Sequence, residues 1–118
     1  MKNIMVSGCG GKMGRTLCNY LCSLADYQLV AGVDPKLSGH SIKEIAAFAD
    51  DFKISGSVKE GLNSAKVDVV IDFTAPSAVV GNAVECLNSK TSILIGTTGI
   101  SAEDQNMLGE LAKKNETS

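Results

Sequence analysis

Four glycines, Gly8, Gly10, Gly11 and Gly14, follow directly on the apolar run Ile4-Met5-Val6 and open an amphipathic helical pattern. A strand, a tight glycine turn and a helix in that order leave the first amides of the helix without intrahelical acceptors. The helix dipole places partial positive charge beside them. Such a terminus receives an anion, and the pyrophosphate of a dinucleotide is the usual guest. Two registers fit the glycines. Read as G-x-G-x-x-G, Gly8 and Gly10 take the first two places and the third falls on Met13, one residue before Gly14. Read as G-x-x-G-x-x-G, Gly8, Gly11 and Gly14 all match. In either register Gly8 permits the sharp exit from the strand, and Gly10 or Gly11 lets backbone approach a phosphate. Gly14 lets the helix pack closely on the sheet. A turn that merely connects two elements has the same composition, so its context must decide.

Asp34 supplies that context. It ends a second apolar run, Gln28–Asp34, twenty residues after Gly14, where a carboxylate accepts hydrogen bonds from the adenosine ribose hydroxyls. The alternative is a surface carboxylate that starts a turn with Pro35. A carboxylate here repels the extra phosphate of NADP and favours NAD, while Lys12 and Lys36 are close enough in sequence to offer a compensating cation. NADH and NADPH therefore both stand as cofactors. Two further segments carry unusual chemistry at strand ends. Asp72-Phe73-Thr74-Ala75-Pro76 offers a hydroxyl and a ring against which a nicotinamide or ribose can rest. Gly96-Thr97-Thr98-Gly99 offers two hydroxyls and flexible backbone, suited to an amide or carboxylate. Each has a structural alternative: Thr74 as a cap of the helix that Pro76 starts, Gly99 as a turn residue, and Asp72 as a buried acceptor of backbone amides.

The elements that must position these groups alternate along the chain. Lys2–Ser7 reads as a strand and Met13–Ala25 as its helix; Gln28–Asp34 is a second strand. A loop over Pro35–Ser41 leads to a short helical turn near Ile42–Ala49, and Phe52–Ser55 reads as a brief third strand. Ser57 and Glu60 have the spacing of a capping box at the start of a further helix. Val67–Phe73 is almost wholly apolar, as in a strand covered on both faces. Pro76–Asn88 is a helix with proline in its first turn, Thr91–Ile95 another buried strand, and Ser101 opens a last helix. Right-handed crossovers then give a single α/β domain of three layers, a doubly wound parallel sheet in order 3-2-1-4-5, with ligands at the carboxyl edge of the strands.

The bulk composition narrows the function classes. A chain of 118 residues, 44% hydrophobic, suits one core. A net charge of -2 with no Trp, two Tyr and three Phe gives neither the basic surface nor the stacking platforms of a nucleic-acid binder. No apolar run reaches the roughly 18 residues needed to span a bilayer, and no signal peptide precedes the glycine turn, so the expected location is cytoplasmic. Of the four cysteines, Cys18 and Cys22 read as small buried hydrophobes, and Cys9 and Cys86 have no redox partner nearby in sequence. Cys18 and Cys22 share a helix face but have no companion at metal-ligand spacing, and no metal site is expected.

Three segments together resemble the 4-hydroxy-tetrahydrodipicolinate (dihydrodipicolinate) reductase family of lysine and diaminopimelate biosynthesis. They are Val6-Ser7-Gly8-Cys9-Gly10-Gly11-Lys12-Met13-Gly14-Arg15, Val70-Ile71-Asp72-Phe73-Thr74-Ala75-Pro76 and Ile95-Gly96-Thr97-Thr98-Gly99. The Asp-Phe-Thr-x-Pro and Gly-Thr-Thr-Gly segments in that order are far more specific than the glycine turn. The resemblance spans the whole chain but only about half the usual length of the family. It implies that residues 1–118 are a Rossmann-like NAD(P)-binding domain. A C-terminal substrate domain, with a His-His-x-x-Lys-x-Asp-Ala-Pro-Ser-Gly motif, would then be absent from this chain.

By that resemblance, Gly8, Cys9, Gly10, Gly11, Lys12 and Met13 cradle the pyrophosphate and Asp34 holds the adenosine ribose. Phe73 and Thr74 line the nicotinamide side, and Gly96, Thr97 and Thr98 meet the carboxamide, with Thr98 also in reach of substrate. No catalytic residue is assigned within the chain, and His40 is not given the missing role. Partners would be the small-molecule cofactor and a cyclic dicarboxylate, with the full-length protein a homotetramer. Two departures bear on NADP: Lys12 stands where the family often has Arg, and Pro35 where an Arg often follows the acidic ribose residue. The fragment alone would bind cofactor without turnover. The alternatives are the cofactor domain of another two-domain nicotinamide enzyme, such as a homoserine or aspartate dehydrogenase, and a non-catalytic dinucleotide-sensing module.

Overall fold

Four parallel strands form the sheet in the computed structural model, which describes residues 2–74 and 76–96. In chain order the elements are β1 (Lys2–Ser7), α1 (Lys12–Cys22), β2 (Tyr27–Val33), α2 (Val58–Ser64), β3 (Val69–Asp72), α3 (Pro76–Asn88) and β4 (Ser92–Ile95). The strand order is β2-β1-β3-β4. The chain thus winds outward from β1 to β2 and then returns past β1 to build β3 and β4. The reversal lies between β1 and β3, where Ser7 pairs with Asp72 at the carboxyl edge. In such sheets a crevice opens at that point.

Side-chain alternation along β1 divides the core into two layers. Ile4 and Val6 pack with Leu29 and with Cys18 and Leu21 of α1. Met5 packs on the other face with Ala31, Val33, Val70, Val58 of α2 and Cys86 of α3. Helices on both sides explain why the central strands are apolar at nearly every position. Cys9, Cys18 and Cys86 are buried free thiols; of the pair read as buried hydrophobes Cys18 is buried and Cys22 only partly so. Among the described residues, no helix is long and apolar enough to cross a membrane.

Several boundaries differ from those read in the sequence. The helix expected to reach Ala25 ends at Cys22, where the Ser23 and Leu24 amides turn back to the Tyr20 and Leu21 carbonyls at 3.0 and 3.1 Å. Phe52–Ser55 forms no strand. It makes one parallel bridge, Val33 to Ser55, and one antiparallel bridge, Ser41 to Lys53. Its backbone is divided between two partners: Ser55 donates to the Gly32 carbonyl at 2.8 Å and Ile54 to the His40 carbonyl at 2.8 Å. Four residues shared in this way cannot build a ladder with either. The Ser57 hydroxyl accepts from the Glu60 amide at 3.2 Å, but the Glu60 carboxylate takes the Gly56 amide. The reciprocal box is instead at Ser41 and Glu44, heading a single 3-10 turn over Ile42–Glu44. The expected last helix, from Ser101, lies outside the described residues.

The seam between β1 and α1 is made by two glycines. Gly8 has φ +82°, a left-handed conformation that favours glycine, and turns the chain sharply out of the strand. Gly14, in the first turn of α1, lies against the Gly8 carbonyl and the Cys9 backbone, so that a Cβ there would overlap the Gly8 oxygen and stand 2.8 Å from Cys9 Cα. Replacing Gly14 by Ala therefore forces the helix off the turn. Overpacking against backbone should lower stability by about 1–3 kcal/mol, read as a shift of the urea midpoint at unchanged slope; an unshifted midpoint would show that the helix moves freely.

Candidate functional site

The glycine turn, the Phe73–Thr74 segment and Gly96 meet at the switch point and enclose a cleft of about 390 Å³. Gly8, Gly11, Lys12, Met13 and Gly14 form one wall, and Phe73, Thr74 and Gly96 the other. The walls touch at their base, where a Cβ at Gly8 would stand 3.2 Å from the Phe73 carbonyl carbon. A larger groove of about 520 Å³ lies on the α1 face, lined chiefly by apolar groups such as Leu17, Leu21, Ile71 and Leu94. Its lining includes Lys2, Tyr27 and Val69, the first residues of β1, β2 and β3, whereas the smaller cleft lies at the carboxyl ends of the strands, which makes it the candidate site.

The backbone hydrogen bonds of the turn decide which amides remain open. Gly8 and Cys9 both donate to the Val33 carbonyl, at 2.7 and 3.1 Å. Gly11 donates to the Gly8 carbonyl at 3.2 Å, and Gly10 donates to Asp34 Oδ2 at 3.0 Å. The first intrahelical bond runs from Arg15 to the Gly11 carbonyl at 2.9 Å. The amides of Lys12, Met13 and Gly14 are consequently those with no acceptor among the described residues. No side chain caps them, since the N-cap is Gly11. The open donors sit at the positive end of α1, two residues further along than Gly10 and Gly11, where the sequence pattern centres them.

Asp34 stands at the carboxyl end of β2, beside this turn. Its two oxygens accept from the Gly10 amide and from the Lys36 amide at 2.9 Å. The second bond caps a 3-10 turn, Pro35–Leu37, so the turn-starting reading of Asp34 holds. An ionised carboxylate has about four acceptor positions, which leaves two for hydroxyl groups. Of the basic residues near the turn, Arg15 lies against Gly10, its Nε donating to the Gly10 carbonyl at 2.8 Å, whereas Lys12 lines the cleft opposite Phe73.

Beneath the second wall, Asp72 is fully buried. Its Oδ1 accepts from the Thr74 amide at 2.7 Å and the Thr74 hydroxyl at 2.6 Å, and its Oδ2 from Asn82 Nδ2 at 3.0 Å. Asn82, on α3, also reaches Thr74 Oγ1 at 3.3 Å and Ser7 Oγ at 3.5 Å. Sequence reading identified Asp72 as a possible buried acceptor but missed Asn82 and Ser7. The available signal was an amide side chain amid the small and apolar residues of Ala78-Val79-Val80-Gly81-Asn82-Ala83-Val84.

Cys9 faces inward. Its Sγ packs against Gly32, and the residue has no exposed surface. Burial first, and then the Asp34 charge, push its thiol up to about 12. Thr97 and Thr98 lie outside the described residues. Among the described residues, no three His, Cys, Asp or Glu side chains come together to hold a metal ion.

Open helix amides, a carboxylate with spare acceptor positions and an aromatic wall thus meet at the switch point. Residues 2–117 match the family model described as "Dihydrodipicolinate reductase, N-terminus". The chain belongs to the dihydrodipicolinate reductase family. Its similar relatives include the 4-hydroxy-tetrahydrodipicolinate reductase of Acinetobacter baylyi, 41% identical over 113 residues that cover 92% of this chain and 40% of the relative. That of Desulfitobacterium hafniense is 34% identical over 110 residues, covering 92% of this chain and 41% of the relative. Among solved structures, a dipicolinate-bound dihydrodipicolinate reductase from Paenisporosarcina sp. TG-14 superposes with a TM-score of 0.81 at 27% identity, covering 98% of this chain and 44% of that one. A dehydrogenase from Chromobacterium violaceum, at 19% identity and TM-score 0.80, shares the fold. The chain thus spans about 40% of the length of the curated relatives it matches. The doubly wound sheet read from the sequence is the fold of this family.

The buried thiols give the domain an alkaline limit. Burial pushes Cys9, Cys18 and Cys86 up to about 12 from an ordinary 9.0, with the charge of Asp72 adding to the effect at Cys86. The folded state keeps protons that the unfolded chain releases, so their contribution is complete below pH 9.0 and is lost as pH rises toward about 12. Urea unfolding as a function of pH should show stability falling across that window, with a shallower fall in Cys18→Ala. Equal slopes in the two proteins would contradict the assignment.

Proposed function

We propose that this chain is the nicotinamide-cofactor domain of a 4-hydroxy-tetrahydrodipicolinate reductase. The observation that carries the reading is the set of open amides at Lys12, Met13 and Gly14, beside a carboxylate, Asp34, that retains acceptor positions. In this reading the first turn of α1 receives a pyrophosphate, assisted by Gly8, Gly10 and Gly11, which keep the turn free of side chains. Cys9 only shapes the turn, its amide being held by the Val33 carbonyl and its thiol buried. Asp34 accepts the adenosine ribose hydroxyls. Phe73 and Thr74 border the nicotinamide, with Gly96, Thr97 and Thr98 at the carboxamide and Thr98 toward the substrate.

The cofactor, NADH or NADPH, supplies the hydride, and the substrate is a cyclic unsaturated dicarboxylate of the lysine and diaminopimelate route. The protein's part is to fix the geometry and exclude water at the transfer site. The relatives' additional length fits a second domain that grips the dicarboxylate and supplies the acid. Residues 1–118 alone would then bind cofactor without turnover, and the complete enzyme would be a cytoplasmic homotetramer. The negative charge of Asp34, with Pro35 after it and no planar cation at either position, weighs against a 2′-phosphate.

Titrating NADH into the chain should give saturable binding. Asp34→Ala removes the ribose acceptor and releases the Gly10 amide, so affinity should fall by about 1–3 kcal/mol. Equal affinity in both proteins, measured by calorimetry, would contradict the assignment of Asp34.

A further inference from the structure

The cleft has two walls built by different parts of the chain, and one side chain, outside the cleft lining, joins them from beneath. Ser7 ends β1 immediately before the glycine turn, and Thr74 follows β3 by two residues. Asn82 Nδ2 reaches Ser7 Oγ, Asp72 Oδ2 and Thr74 Oγ1 at 3.5, 3.0 and 3.3 Å. Asp72 and Ser7 have no exposed surface. Among the described residues, neither Lys nor Arg pairs with the Asp72 carboxylate. Its acceptors are answered by Thr74 and Asn82, and a buried carboxylate leaves little tolerance for losing a donor.

We propose that Asn82 is a positioning residue for cofactor binding, acting through Thr74. This inference rests on the reading that the cleft takes a nicotinamide dinucleotide. With the Asn82 amide on Oδ2, the Asp72 carboxylate has Oδ1 aligned on the Thr74 amide and hydroxyl, and this fixes the backbone that carries Phe73. The contact to Ser7 ties the same unit to the exit of β1. Removing the amide frees one carboxylate oxygen to seek other donors. The carboxylate then rotates, Thr74 loses its alignment, and the Phe73–Thr74 wall shifts relative to Gly8 and the α1 amides. Asn82 lies outside the cleft lining, so its influence is on the shape of the cleft.

The test compares NADH affinity with stability. Asn82→Ala removes the donor, while Leu87→Ala, five residues further along the same helix, deletes a buried apolar side chain that makes no hydrogen bond to the network. For Asn82→Ala the NADH Kd should rise roughly tenfold, and the Thr74 amide resonance should move upfield as its bond to Asp72 weakens. Leu87→Ala should lose stability yet bind NADH as the parent does, and Asn82→Gln, which keeps the amide, should recover part of the affinity. If Asn82→Ala does not fold, Asn82→Ser should still bind more weakly than Leu87→Ala. Parental affinity in the folded Asn82 variant, or equal weakening in Leu87→Ala, overturns the inference. No saturable binding in the parent chain instead overturns the functional reading on which it rests.

Discussion

The close approach of Gly14 to the Gly8 carbonyl sets the position of everything at the carboxyl edge. Helix α1 starts within backbone contact of the strand that precedes it, so its first amides are delivered to the switch point between β1 and β3. A side chain at Gly14 would hold the helix away and turn those amides out of register with Asp34 and Phe73. The turn then satisfies most of its own donors: Gly8 and Cys9 on β2, Gly11 on Gly8, Gly10 on Asp34. What remains unsatisfied is confined to the first turn of the helix. The open amides on which the proposed anion site rests are therefore a by-product of how tightly a strand and a helix can be joined.

Asp34 has a double part in that arrangement. Its bonds to the Gly10 and Lys36 amides hold the end of β2 against the glycine turn, so the carboxylate is oriented before any ligand arrives. A preorganised acceptor loses less conformational freedom on binding than a mobile one. On the opposite wall, Asp72 does for Thr74 what Asp34 does for Gly10. Each carboxylate stands at a strand terminus and fixes a backbone amide of the loop that follows a strand, one carboxylate partly exposed and the other sealed inside the protein.

The sequence made the sheet legible because two-sided burial writes long apolar runs into parallel strands, and Ile4 to Val6 and Val69 to Ile71 are such runs. The glycine turn, and the place of Asp34 at the end of β2, were legible because both depend on residue type at fixed spacing. Phe52–Ser55 was misread because local composition cannot show that its hydrogen bonds are split between Gly32 and the His40 loop. The capping box moved from Ser57 to Ser41 because a glutamate three residues on serves whichever amide the backbone presents, and at Gly56 that was the preceding one. Asn82 was invisible for a different reason. Its partners are Ser7, Asp72 and Thr74, 75, 10 and 8 residues away in sequence, and only the closed sheet brings them together.

On the proposed reading, the anion donors of this domain are the amides of Lys12, Met13 and Gly14. A crystal structure of the chain with NADH bound tests it most directly. Diphosphate oxygens should lie within hydrogen-bonding distance of those three amides, with ribose hydroxyls on Asp34. A diphosphate held elsewhere, with the first turn of α1 facing only solvent, would contradict it.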